Sequence, residues 1–437
     1  MNESPYIEIA AKLDKMAFTA PRSPSGEGFS EAFLDYLKVI YTPEQALIAQ
    51  HLNVPIDTVN STFNAEVFMT PSQVAKVSGQ PSREVNRVLN QMSEKNTVFD
   101  IRKIIKASPI TWPVRTIDVL WTIYKGEGFN EVLRILKGFF PAILESARKY
   151  GLKSGYEFLS MKLYAFPQIA LVINIYNFDF KIKPEESKAF ELYKKFFVDE
   201  KWSRFYQSSA KGSSLVRTIP ISKALAPQER ILNTEEAHKI IDAAGNIVLA
   251  PCACRVRTEK LGTRKCKERN PVGSCIYMGL AAQAFDGFGW GYKASKQQAK
   301  DHLDEMIEKG LVPITHNSDH PASSLICLCC ECCCGQTRGR ILWGNPNSIA
   351  PSNFFPKTDR KICTFCGTCE DRCMFHAITV NKEDKKWRLN PQLCVGCGVC
   401  AVGCKQGAVK LHRAERSTPF KTPQDLYRQF DMENHEI

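Results

Sequence analysis

No uncharged run in the 437 residues reaches the roughly 20 apolar positions that a membrane-crossing helix needs, so the sequence offers no transmembrane segment. The opening residues Met1, Asn2, Glu3, Ser4 and Pro5 lack the basic segment and apolar core of a secretory signal, and a cytoplasmic location is expected. Residues 111–210 contain no cysteine, no metal-ligand spacing and no catalytic signature. An apolar-rich helical layer of that kind serves as core or subunit interface. What the chain has in excess is cysteine, 18 residues, and positive charge, formally +12.

Eighteen thiols in a long chain without a secretory signal point to metal ligation in a reducing compartment, not to disulfides. The length implies two to four domains, and 44% hydrophobic content is ordinary.

Eight of the cysteines fall into two runs of one spacing. Cys363, Cys366, Cys369 and Cys373 form C-x2-C-x2-C-x3-C, and Cys394, Cys397, Cys400 and Cys404 repeat it 31 residues later. The register persists in the flanks, where Gly367 matches Gly398 and Ala377-Ile378 matches Ala408-Val409. A close cysteine triplet wraps three corners of an iron–sulfur cube, and the displaced fourth cysteine reaches the other cluster in two-cluster proteins. Zinc sites pair C-x2-C units across a longer gap.

Residues 362–412, about an eighth of the chain, therefore resemble a bacterial-type ferredoxin with two [4Fe–4S] clusters. The resemblance implies a ferredoxin-like βαββαβ domain over residues 346–415. It assigns one cluster to Cys363, Cys366, Cys369 and Cys404, and the other to Cys394, Cys397, Cys400 and Cys373. Met374 and Lys405 stand where the family has proline, which bears on loop stiffness and redox potential, not on ligation. Each oxidised cluster carries about −2, so two of them lower the net charge to about +8 and weaken the charge as a sign of nucleic acid.

The other ten cysteines crowd a Cys-rich module over residues 221–345. Asn233 and Glu236 form a capping-box pattern for a helix with Ala237, Ile240, Ile241 and Ala244 on one face, closed by Gly245. Residues 247–250 read as a buried strand that delivers Cys252 and Cys254, with Cys266 and Cys275 beyond. A helix capped by Ser295 and ended by Gly310 follows, its apolar face made of Ala299, Leu303, Met306 and Ile307, with Glu305 and Lys309 as an i,i+4 pair. Cys327, Cys329, Cys330, Cys332, Cys333 and Cys334 come next.

Ten thiols could supply two further cubes, one cluster of unusual geometry, or a zinc site. Adjacent cysteines do not all reach one cube easily, so some are expected beside the metal and not on it. Inert buried thiols suit isolated cysteines, not this density. The order of these elements resembles a group of large iron–sulfur proteins of anaerobes in which such a module precedes a two-cluster ferredoxin. That looser resemblance spans residues 29–412 and implies electron transfer with one or two additional iron–sulfur clusters. Gly287, Gly289, Gly291 and Trp290 lack the strand–turn–helix setting of a dinucleotide loop and read as a tight turn near a cluster. His302, His316 and His320 lie between the cysteine groups and read as exposed side chains before ligands.

Toward the N-terminus, residues 1–28, with Pro21, Pro24, Gly26 and Gly28, read as a flexible arm. Thr42-Pro43-Glu44 and Thr70-Pro71 each start a helix. The helix of residues 71–78 stops at Gly79. Ser82 then caps a helix to Lys95 with Val85, Val88, Leu89 and Met92 on one face, and residues 98–105 are strand-like. This order resembles a winged helix over residues 29–110. Arg83, Arg87 and Lys95 are opposed by Glu84 and Glu94, so docking to protein is favoured over DNA, although Asn86, Asn90 and Gln91 are available. A helical domain over residues 111–220 and a tail over 416–437 complete the division.

The whole reads as an α+β multi-domain protein: a mostly helical N-terminal half, a Cys-rich α/β metal module and a ferredoxin-like domain. The expected function is electron transfer as a subunit or partner of an anaerobic oxidoreductase, with the cysteines as ligands and no catalytic residue assigned. Lys382, Lys385, Lys386, Arg388, Lys405 and Lys410 would face an acidic redox partner. No flavin or nicotinamide site is recognisable, and DNA is not the expected partner. Two alternatives stay open: a reductase with an unusual active-site cluster in residues 252–334, and a cluster-containing DNA-binding redox sensor.

Overall fold

In the computed structural model, which describes residues 4–15, 17–54, 67–104, 129–167, 172–174, 176, 187–319 and 325–435, Thr42 and Thr70 close capping boxes with Gln45 and Gln73. They start the helices Pro43–Ala49 and Pro71–Ser78. Both belong to the first of two compact units, Met1–Phe205 with Gly279–Tyr292 and Tyr427–Ile437. Gly79 at φ 67° ends the second helix, and Ser82–Glu94 follows with Pro81, not Ser82, at the cap position. Val85, Val88, Leu89 and Met92 are fully buried, as their spacing requires.

The strand expected over residues 98–105 is confined to Phe99–Asp100, which pairs with Tyr164–Ala165. The Asp100 carboxylate accepts from Arg102 N at 3.0 Å and turns the chain into the helix Ile101–Ile104. Residues 105–128, which include the end of that expectation, lie outside the described residues.

The expected arm holds a helix instead, Ser4–Asp14, with Tyr6, Ile9, Ala10 and Leu13 buried. Their i, i+3, i+4, i+7 spacing makes an apolar stripe that the nearby prolines and glycines obscure in the sequence. The expected tail likewise holds the helix Pro423–His435, whose Phe430 is fully buried 5.6 Å from the ring of Phe18. Gly287 lies in the helix Gly279–Phe288, where a Cβ would meet Lys103 O at 2.2 Å. Trp290 packs on Phe288 at 4.7 Å. Gly287 thus serves close packing, while Gly289, at φ 72°, makes the tight turn that ends the helix, with no cysteine in the first unit. Among the described residues no helix is long and apolar enough to cross a membrane.

The second unit, Tyr206–Met278 with Lys293–Leu426, carries every cysteine. It holds five strands of a six-stranded sheet, in the spatial order Val216–Thr218, Val312–His316, Leu325–Cys329, Gly273–Met278, Ile247–Pro251, each antiparallel to its neighbour. Residues 247–250 are buried without alternation, as a strand covered on both faces requires. The turn before the helix Ala237–Ala243 is closed by Glu235, not Glu236: its carboxylate accepts from Leu232 N at 3.2 Å. Ser295 and Gln298 box the start of Lys296–Glu308, Ala299, Leu303, Met306 and Ile307 are buried, and Gly310 turns the chain at φ 88°.

The C-terminal part of this unit runs strand, helix, strand, strand, helix, strand: Phe354–Thr358, Thr368–Asp371, Ile378–Asn381, Lys386–Leu389, Val399–Val402 and Val409–Arg413. The outer strands pair with each other, as do the middle two. The 31-residue repeat is written in the backbone. Phe365 and Gly396 (φ 54° and 70°), Gly367 and Gly398 (87° and 89°), and His376 and Gly407 (51° and 63°) all adopt left-handed conformations. Glycine does so freely and the other residues at a cost. Gly396 is also sterically required, because a Cβ there would meet Phe354 O at 2.2 Å.

Candidate metal centres

The ten central cysteines separate into two groups. Sheet pairing begins the first: Ile276 pairs with Ile326, so Cys275 and Cys327 follow one step along adjacent strands, and Ala250 pairs with Cys275 near the strand end that delivers Cys252. Cys252 meets Cys254 and Cys275, Cys275 meets Cys327, and Cys327 meets Cys329. Cys329 lies 3.2 Å from Cys334, and Cys334 meets Cys254, which closes a ring of six thiols. Cys252 and Cys334 occupy the N-cap positions of the helices Ala253–Lys260 and Gly335–Ile341, yet neighbouring thiols and burial hold both above the ordinary thiol range, so metal binding is what would keep them as thiolates.

The second group is Cys266, Cys330, Cys332 and Cys333, whose Sγ atoms all lie within 4.8 Å of one another. Contacts with Cys330 and Cys333 hold the Cys332 thiol down at about 4, and in the ring, contacts with Cys275 and Cys329 hold Cys327 at about 6. Arg255 is buried to 0% exposure beside both groups. Its guanidinium donates to Leu328 O at 2.8 Å; burial opposes its charge, and Cys252, Cys330 and Cys275 more than offset that effect. A buried cation needs a counter-charge, and thiols supply one only as thiolates, the form in which they ligate metal.

In the C-terminal segment, Cys373 lines one cavity together with Cys394, Cys397 and Cys400 of the second run, and Val312 of the central sheet lines it too. Backbone N–H groups point at these sulfurs: Ala377 N donates to Cys373 Sγ at 3.3 Å, and the amides of Gly396 and Val399 to Cys394 and Cys397. Burial pushes the Cys397 thiol up to about 12, so metal binding is what would hold it as thiolate. Cys404 lies within electrostatic reach of Cys369. Cys366 is exposed, with Sγ 3.3 Å from Thr368 Oγ1, and Cys363 is half-buried. Arg372, which donates to Val399 O within this segment, also ties it to the rest of the unit by donating to Glu308 O, both at 3.2 Å.

Residues 362–408 match the family model of the 4Fe-4S dicluster domain. The chain thus carries a ferredoxin-type iron–sulfur domain near its C-terminus. Neither the curated proteins nor the solved structures that were compared include a match to the chain. Thiols, inward amides and an enclosing cavity in the dicluster domain fit the bound group that the family description names.

His302 and His316 belong to neither sulfur group; burial lowers His316 to about 4. His320 lies outside the described residues. Sequence reasoning passed over Arg255, Arg264 and Thr258, which touch the thiols directly. The available signal was the run Cys254-Arg255-Val256-Arg257, which sets arginine beside cysteine on a short helix.

Proposed function

We propose that the chain is an electron-transfer protein in which the dicluster domain and the six-thiol ring lie in line. The observation that carries this is the cavity where Cys373 joins Cys394, Cys397 and Cys400 beside Val312, the ladder partner of Cys329 in the ring. It supports the crossed assignment, with Cys404 joining Cys363, Cys366 and Cys369. Bound clusters would supply reversible one-electron oxidation and reduction.

The protein's own residues set the order of the thiol groups. Cys366 is exposed, Cys394 and Cys400 are buried, and Cys329 is buried at the sheet. Lys382, Lys385, Lys386, Arg388 and Lys405 are exposed around the outer set, which suits an acidic redox partner, as in an anaerobic oxidoreductase complex. In the winged-helix-like segment the Arg87 guanidinium is bonded to Glu84 and Glu44, so its charge is already met and protein docking suits this helix better than DNA.

A second reading rests on the size of the ring: six thiols exceed the four that a cube needs, which suits an active-site cluster of a reductase in residues 252–334. Anaerobically purified full-length protein, reduced with dithionite, should show EPR signals of the two dicluster-domain clusters and of one further centre, and reoxidise with its iron retained. Protein that binds iron but takes up no electrons reversibly contradicts electron transfer. Substrate reduction by the isolated chain with an artificial donor would select the second reading.

A further inference from the structure

We propose that Cys266, Cys330, Cys332 and Cys333 hold a single zinc ion, separate from every iron–sulfur cluster. Four thiolates at about 2.3 Å from one tetrahedral ion stand about 3.8 Å apart. The Sγ separations are 3.9 Å for Cys266–Cys330, 3.7 Å for Cys266–Cys333, 4.0 Å for Cys330–Cys332 and 3.4 Å for Cys332–Cys333. A cube spreads its four outer thiolates by its own width, so this group is too tight to enclose one. Among the described residues the dicluster cysteines form no group as tight. Disulfides do not account for it, since all four thiols are free.

The surroundings suit a tetrathiolate centre, whose net charge is negative. Arg264 is bonded to Cys266 and Arg255 lies against Cys330. Thr258 Oγ1 donates to Cys333 Sγ at 3.1 Å. The open groove beside Cys266 and Cys332 is lined by Arg264, Lys265, Lys267 and Arg269 against Glu268 and Glu331, with Arg269 paired to Glu331 and Lys267 to Glu259, and it keeps a basic excess. Four protein sulfurs leave no coordination position for a substrate, which is the arrangement of a structural zinc site. Because zinc has no redox chemistry, the ion would pin the loop carrying Cys266 to the cysteine run and stand outside the electron route, leaving the six-thiol ring as that route's central site. The inference deepens the metal-binding reading of the module without depending on the dicluster domain.

Metal analysis and zinc K-edge X-ray absorption on anaerobically purified full-length protein test it. The expected result is about one zinc per chain, with a first shell of four sulfurs at about 2.3 Å and no iron neighbour. Cys332→Ser should lose most of that zinc while the EPR signals of the dicluster domain persist. Zinc-free wild-type protein, a nitrogen or oxygen first shell, or iron lost in Cys332→Ser would each overturn the proposal. The wild-type spectrum decides the matter even if the variant folds poorly, and the EPR signals report separately on the electron-transfer reading.

Discussion

Val312 is the ladder partner of Cys329 and also lines the cavity shared by Cys373, Cys394, Cys397 and Cys400. Residues paired across an antiparallel ladder have Cα atoms about 4.5–5.5 Å apart, so one strand pairing separates the dicluster domain's enclosed thiols from the six-thiol ring. The sheet that positions the ring also forms part of the cavity wall.

Val312→Thr keeps the side-chain shape and adds a hydroxyl to an otherwise apolar stretch of that wall. It should raise the potential of one dicluster signal and leave the other in place, because polarity near a cluster sets its potential. An EPR-monitored redox titration reads both; equal shifts in the two would show that Val312 does not face a single cluster.

Cys373→Ser should damage the cluster on Cys394, Cys397 and Cys400, and spare the one on Cys363, Cys366 and Cys369. Mössbauer and EPR spectra of the single variant distinguish them. Loss of the cluster nearest in sequence instead would refute the crossed assignment.

The repeat offers a paired stability test. Gly396→Ala should cost at least about 2 kcal/mol, from left-handed strain plus collision with Phe354 O. His376→Gly, at a left-handed position of the other half, should stay within about 1 kcal/mol, since strain relief offsets the added freedom of the unfolded chain. Denaturant unfolding of the metal-loaded variants measures both.

Much of this local order is legible in the sequence. The paired cysteine runs, the helix starts at Thr42, Thr70 and Ser295, and the buried strand from Ile247 follow from spacing and side-chain chemistry alone. The division of the ten central cysteines does not. Cys329 ends a strand and Cys330 follows it, so neighbours in sequence go to different groups, while Cys275 joins Cys327 only because two strands pair in one register. The helix Ser4–Asp14 was hidden for a different reason: its four apolar contacts sit beside a stretch rich in proline and glycine, and local composition outweighed periodicity.

Arg255→Met tests whether the thiols beside it carry charge. Removing one partner of a buried ion pair costs about 3–5 kcal/mol, so the metal-loaded variant should unfold earlier by that order and retain less metal in the central module. Unchanged stability and unchanged metal content would mean that Cys252, Cys275 and Cys330 are neutral.

The central claim is that the ring binds iron in line with the dicluster domain, and counting iron and acid-labile sulfide in anaerobically purified full-length protein, alongside its EPR spectrum, tests it most directly. Two dicluster-type clusters account for about eight iron atoms; the account predicts clearly more, with the excess and one further reducible signal lost in Cys254→Ser. About eight iron atoms, unchanged in Cys254→Ser, would contradict it and leave the dicluster domain as the only redox site in the chain.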